Sequence, residues 1–132
     1  MRFLNRYSEP IFLVLRVVAG LVFAIHGAQK LFGVLGGQVM TGVPLMLAAG
    51  IIEFAGGLMI ALGLFGDVAA FIASGEMAVA YFKVHASGEG GALNPVLNHG
   101  EAAVLYCFLF LYIAARGTGP YSLDRGFRRR SP

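Results

Sequence analysis

The chain has 132 residues, 58% of them apolar and 13% charged, with a mean hydropathy of +0.75. A soluble domain carries about 45–50% apolar and about 25% charged residues, so this composition excludes an ordinary soluble globule and describes a membrane-embedded chain. A spanning helix consumes about 20 apolar residues, so four spans take about 80 and leave about 50 for connections and tails, which excludes two large domains.

The first span is expected over about residues 10–32. Ser8 and Glu9 are candidate N-caps and Pro10 suits a first helical turn. Arg2 and Arg6 ahead of it resemble the start of a secretory signal, but the apolar stretch is longer than a signal core and more spans follow, so it reads as a retained anchor. Val34 to Gly42 is a glycine-containing loop, after which Thr41 and Pro44 open a second span over about 43–65. Gly66 as helix stop and Asp67 as the next N-cap make a minimal turn, so the second span and the third, about 68–85, are antiparallel neighbours. A small-residue loop, Ala86 to Leu93, comes next. The apolar stretch Ala102 to Ala115 is too short to cross alone. With Asn94 as N-cap and Pro95 as first helical residue, a helix over 95–115 is about 31 Å long and spans, provided Asn98, His99 and Glu101 belong to it.

The expected fold is thus all-α, a single-domain integral membrane bundle of four transmembrane helices with a basic C-terminal tail over 116–132. Seven of the ten Lys and Arg residues, Arg2, Arg6, Arg116, Arg125, Arg128, Arg129 and Arg130, lie in the two tails, whereas the loops 34–42 and 86–93 have none. That asymmetry places both termini in the cytoplasm and the loops outside, and it argues against a nucleic-acid-binding face despite the net charge of +3. Gly20, Ala24 and Ala28 in the first span, and Gly57 with Ala61 in the second, recur at the spacing that lets membrane helices approach closely. The single cysteine, Cys107, closes no disulfide within the chain and has no CxxC partner, which leaves its role and the redox compartment open.

Inside the expected spans stand Arg16, Lys30 and Lys83 against Glu53, Glu76 and Glu101, together with His26, His85, His99, Gln29 and Asn98. A charge in the bilayer costs several kcal/mol unless paired or hydrated, so this matched inventory implies neutralisation within the bundle. Arg16 stands about 9 Å and Glu76 about 12 Å from the inner ends of their helices, which makes them potential partners, as are Arg16 and Glu53. His26 and Lys30 share a helix face one turn apart, and each span sends a titratable group toward the outer half, describing a polar pocket roofed by the two loops. The plainer alternatives are that Lys83, His85, His99 and Glu101 snorkel to the interface, that Arg16, Glu53 and Glu76 form a structural ion pair, and that His26 is a hydrogen-bonded helix contact.

Three chemistries suit such a pocket. Haem ligation is disfavoured because the three histidines cluster at one end and no CxxCH occurs. A metal site from His85, His99 and Glu101 carries no recognised spacing, and none is expected. Proton-coupled work on a quinone or another small hydrophobic molecule uses the groups present and needs none that are absent.

Taken in order, Arg16, the HGxxK run from His26 to Lys30, Glu53 followed by Gly56 and Gly57, Glu76, His85, Gly100-Glu101, and the tail from Gly117 to Asp124 (GTGPYSLD, similar to GxGxYSLD) resemble the DoxX-like membrane proteins over nearly the whole chain. The resemblance implies a multi-pass protein of the cell inner membrane, in a family where some members are a subunit of a thiosulfate to quinone oxidoreductase and others associate with redox and detoxification enzymes. The polar positions that carry over are Arg16, His26, Lys30, Glu53, Glu76, His85 and Glu101. This chain lacks a cysteine pair, so thiol exchange would fall to a partner. The leading expectation is a membrane component of a redox system, with His26, Lys30, Glu53 and Glu76 as candidate catalytic residues and His26, Lys30, His85, His99 and Glu101 as candidates to hold a quinone. Expected partners are the lipid bilayer, a redox enzyme and a second copy of the chain. The rivals are a proton-coupled small-molecule transporter and a non-catalytic scaffold that recruits a redox or detoxification enzyme.

Overall fold

Glycine and proline punctuate long apolar runs, and the helices obey that punctuation. The computed structural model describes residues 2–87 and 93–128, and among these it is all-helical, with six helices and no strand. Helix α1 is Arg2–Asn5 and α2 is Ser8–Phe32. Helix α3 is Pro44–Leu62, with Pro44 in its first turn and a π-helical turn at Ile52–Gly56. Helix α4 covers 66–85, as Gly66–Ala80 continued by a second π-helical turn, Tyr81–His85. Helix α5 is Glu101–Arg116 and α6 is Leu123–Arg128. Most of the expected outer loop 86–93, with Glu89, and the tail arginines Arg129 and Arg130 lie outside the described residues.

Two limits differ from the sequence reading. The second long helix stops at Leu62 because Gly63 adopts φ +67°, and Gly66 opens α4 instead of closing α3. The carboxylate that caps this turn is Asp124, which accepts from the backbone N–H of Phe65 at 2.8 Å and of Gly66 at 3.3 Å, whereas Asp67 accepts from its neighbour Val68. On the last helix, Asn94 does cap a turn, accepting from Val96 N–H at 2.9 Å. That turn ends at once, because His99 takes φ +58° and Asn98 Oδ1 accepts from Gly100 N–H. Helix α5 therefore starts at Glu101, with Asn98 and His99 ahead of it.

Helix α2 packs along the length of α3 in the most extensive contact, and α4 packs along α5. The core lies between α2, α4 and α5, where Phe23 meets Phe110 with ring centroids 4.7 Å apart and Ala69, Ala70, Ala73 and Met77 face Ala103 and Ile113. Small residues set the α2–α3 distance: a Cβ on Gly57 would stand 2.5 Å from Gly20 O and 2.6 Å from Ala24 N. Gly20, Ala24, Gly57 and Ala61 are all buried there, while Ala28 is only half-buried. Outward, α2 exposes Val14, Val18, Leu21 and Ile25, and α5 exposes Leu105 and Phe108. An apolar exterior of that extent suits hydrocarbon, not water. Ser8–Phe32 and Pro44–Leu62 are long and apolar enough to cross a membrane.

Candidate functional site

A cleft of about 600 Å³ opens among α2, α3, α4 and α5. Its walls are mostly alanine, methionine and branched aliphatic side chains, with His26 and Lys30 from α2, Glu53 from α3, and Glu76, Lys83 and His85 from α4. Tyr106 of α5 and Met40 of the first loop also face it.

The HGxxK run builds one wall. His26 and Lys30 are one turn apart, and the glycine between them is required by contact: a Cβ on Gly27 would lie 2.7 Å from both Gly50 O and Phe54 Cα. Close approach of α2 to the π-helical turn at Ile52–Gly56 lets Lys30 Nζ donate to Glu53 Oε1 at 2.5 Å. Such a turn inserts one residue into a helix and shifts the phase of every later residue in it, a feature frequent at functional sites; both π-helical turns border this cleft. Glu53 is 2% exposed, and its Oε2 has no hydrogen-bond partner. Glu76 Oε2 is likewise buried and unpartnered, and this carboxyl lies within electrostatic reach of both Glu53 and Lys30. The cluster thus holds two carboxyl groups against one directly paired ammonium, with hydrogen-bond acceptors in excess.

His85 is half-buried, and its Nδ1 lies 3.1 Å from the carbonyl oxygen of Asn98. A carbonyl only accepts, so Nδ1 carries a proton and donates to it. Tyr81 ties the same segment down by donating to Leu93 O and accepting from Asn98 Nδ2 at 3.3 Å. His26 is exposed, at the edge of the cleft. His99 and Glu101 are exposed and outside the cleft lining, because the break at His99 turns this stretch away before α5 begins. Tyr106 is the wall residue that the charge inventory passed over; a phenol within an otherwise apolar run was the available signal. Among the described residues, no three His, Cys, Asp or Glu side chains gather as a metal-ion site. Cys107 is half-buried, and its carbonyl accepts from Ser74 Oγ at 2.8 Å, joining α4 to α5.

Arg16 corrects the expected pairing with Glu76 or Glu53. It is 1% exposed, and its guanidinium donates to three carbonyl oxygens, those of Thr118, Ala61 at 3.3 Å and Tyr121 at 2.8 Å. The tail motif folds back to supply two of these acceptors, and Lys30 has taken Glu53. Nearby, Glu9 pairs with Arg116, whose guanidinium also stacks 3.7 Å over the Phe12 ring. The start of α2 and the end of α5 therefore meet at one end of the molecule, opposite the cleft.

An all-helical chain with apolar outer faces, membrane-length helices and a polar cluster in an apolar cleft is a helical membrane protein. It belongs to the DoxX family, whose model matches residues 11–86. A protein of Haemophilus influenzae described as uncharacterized is 40% identical over 134 residues, covering 98% of this chain and 100% of that protein. No solved structure matches this chain.

Proposed function

We propose that the protein is a four-span component of the inner membrane with both termini cytoplasmic, and that it serves a redox system by holding a quinone or a similar small hydrophobic ring in the cleft. The topology is supported by the concentration of arginines at the end where α2 begins and α5 finishes. One observation carries the ligand reading: side chains from three helices, His26 and Lys30, Glu53, and Glu76 and His85, converge on one mostly apolar cleft of about 600 Å³. That volume and that mix of apolar wall with a few polar groups are what small-molecule sites have. A quinone supplies two-electron, two-proton carrier chemistry when bound. The chain's own part is to clasp the ring between apolar walls, to offer donors from His26 and Lys30 to a carbonyl oxygen, and to hold or pass protons at Glu53 and Glu76.

The test is equilibrium binding of a short-chain quinone to the purified protein in mild detergent, with parent and His26→Ala compared. Saturable binding is expected, weakened about tenfold in the variant, the value of one hydrogen bond to a charged or strongly polar group. A parent protein with no saturable binding overturns the reading. In that event, cation uptake driven by protons and abolished by Glu53→Gln or Glu76→Gln would identify the transporter.

A further inference from the structure

We infer that the cleft favours the reduced, dihydroxy form of its ring ligand over the dione. This rests on the quinone reading and specifies which redox form the site holds more tightly.

Charge comes first. The cleft is lined by Lys30 and Lys83 against Glu53 and Glu76, with His26 and His85 beside them. The formal charges balance, so an added cation or anion would leave an uncompensated charge among apolar walls, a costly state at low dielectric. A neutral ligand leaves the balance intact.

Hydrogen bonding then selects among neutral ligands. Lys30 Nζ already donates to Glu53 Oε1 at 2.5 Å. The remaining N–H groups of Lys30, Lys83 and His26 reach water, since these side chains are partly or fully exposed, whereas the buried cleft atoms left without partners are both acceptors, Glu53 Oε2 and Glu76 Oε2. A quinone carries only acceptor oxygens, which can take donors from His26 and Lys30 but leave these two buried carboxyl oxygens unsatisfied. A hydroquinone carries two O–H donors, and an O–H donated to a carboxylate is among the stronger hydrogen bonds. Glu53, at 2% exposure, has little access to water that would otherwise supply that donor.

The experiment is anaerobic equilibrium dialysis of the full-length protein in detergent against three ligands with one ring: 1,4-naphthohydroquinone, 1,4-naphthoquinone, and the dimethyl ether of the hydroquinone. The hydroquinone is expected to bind about tenfold tighter than either of the others, the fold-change worth one charge-assisted hydrogen bond. In Glu76→Met that preference should fall to about threefold or less. The ether keeps the ring and removes only the donors, so the comparison stands even if the variant folds poorly. Quinone or ether binding as tight as the hydroquinone in the parent overturns the preference and leaves the ring site standing, as it would if Glu53 and Glu76 satisfied each other by sharing a proton. No saturable binding of any of the three overturns both this inference and the quinone reading.

Discussion

The Arg16 guanidinium donates to the carbonyl oxygen of Tyr121 at 2.8 Å, across 105 positions of sequence. Around this bond the tail becomes a strap. Thr118 O and Ala61 O accept from the same guanidinium, Asp124 N–H donates to Gly63 O at 3.0 Å, and the Asp124 carboxylate caps the start of α4. The strap thereby fastens α2, α3 and α4 at the end opposite the cleft, so the buried charges divide between a structural end and a site end.

Arg16→Met should cost about 3 kcal/mol, because buried carbonyls left without donors lose about 1–3 kcal/mol each, with some recovered by water. Arg16→Lys should cost about half as much, since one ammonium cannot reach acceptors on two segments as a planar guanidinium fork does. Thermal unfolding in detergent reads both. In a chain ending at Gly117, which lacks two of the acceptors, Arg16→Met should add little further loss; full additivity of the two changes would mean that the strap and Arg16 do not interact.

The contrast between the two ends explains what the sequence made legible. The helices of α2 and α3 follow from apolar length and from Gly33 and Pro44, and the convergence of His26, Lys30 and Glu53 follows from depth along those helices. The partner of Arg16 does not, because the acceptors are backbone carbonyls in a tail that composition describes only as basic. Carbonyls carry no sequence signature. The start of α5 was hidden for a related reason: Asn94-Pro95 is a genuine helix opening, and only the positive φ at His99 ends it after one turn. The π-helical turns that bring Glu53 and His85 to the cleft alter periodicity by one residue, too little to read in runs that are apolar on every side.

Gly27 and Gly75 should respond oppositely to alanine. A methyl at Gly27 would stand 2.3 Å from the α3 backbone at Phe54 N, whereas one at Gly75 meets nothing within 4 Å. Gly27→Ala is expected to destabilise by about 1–3 kcal/mol through overpacking and to displace Lys30 from Glu53. Gly75→Ala should stabilise α4 by about 0.5–1 kcal/mol from helix propensity. Melting curves of the two variants, run beside the parent, check the sign of each.

The proposed orientation predicts a labelling pattern. In a Cys107→Ser background, Ser87→Cys is expected to react with an impermeant thiol reagent added to intact cells, and Arg125→Cys only after permeabilisation. Both positions are exposed, so lack of reaction would report sidedness and not burial. The reverse pattern would invert the bundle and place the cleft on the cytoplasmic side.

Lys30 and Glu53 form a pair whose members are unequally sheltered, with side-chain exposures of 27% and 3%. Removing one member of a buried pair strands the other and costs about 3–5 kcal/mol, and the partly exposed ammonium places Lys30→Met below that range, at about 2 kcal/mol net, if water reaches the vacated space. Glu53→Gln should cost about 3 kcal/mol, because the ammonium then loses the carboxylate it donates to at 2.5 Å. The double change Lys30→Met with Glu53→Leu should recover to within about 1 kcal/mol of the parent, as paired apolar replacements of buried ions do. Glu76→Gln makes the decisive comparison. Its buried Oε2 has no partner to lose, so this variant should melt at or above the parent temperature while losing the hydroquinone preference, the trade expected where a buried group is kept for function at the expense of stability. If Glu76→Gln instead melts as low as Glu53→Gln, Glu76 is part of the structural pair network and the division between pairing at Glu53 and ligand contact at Glu76 is wrong.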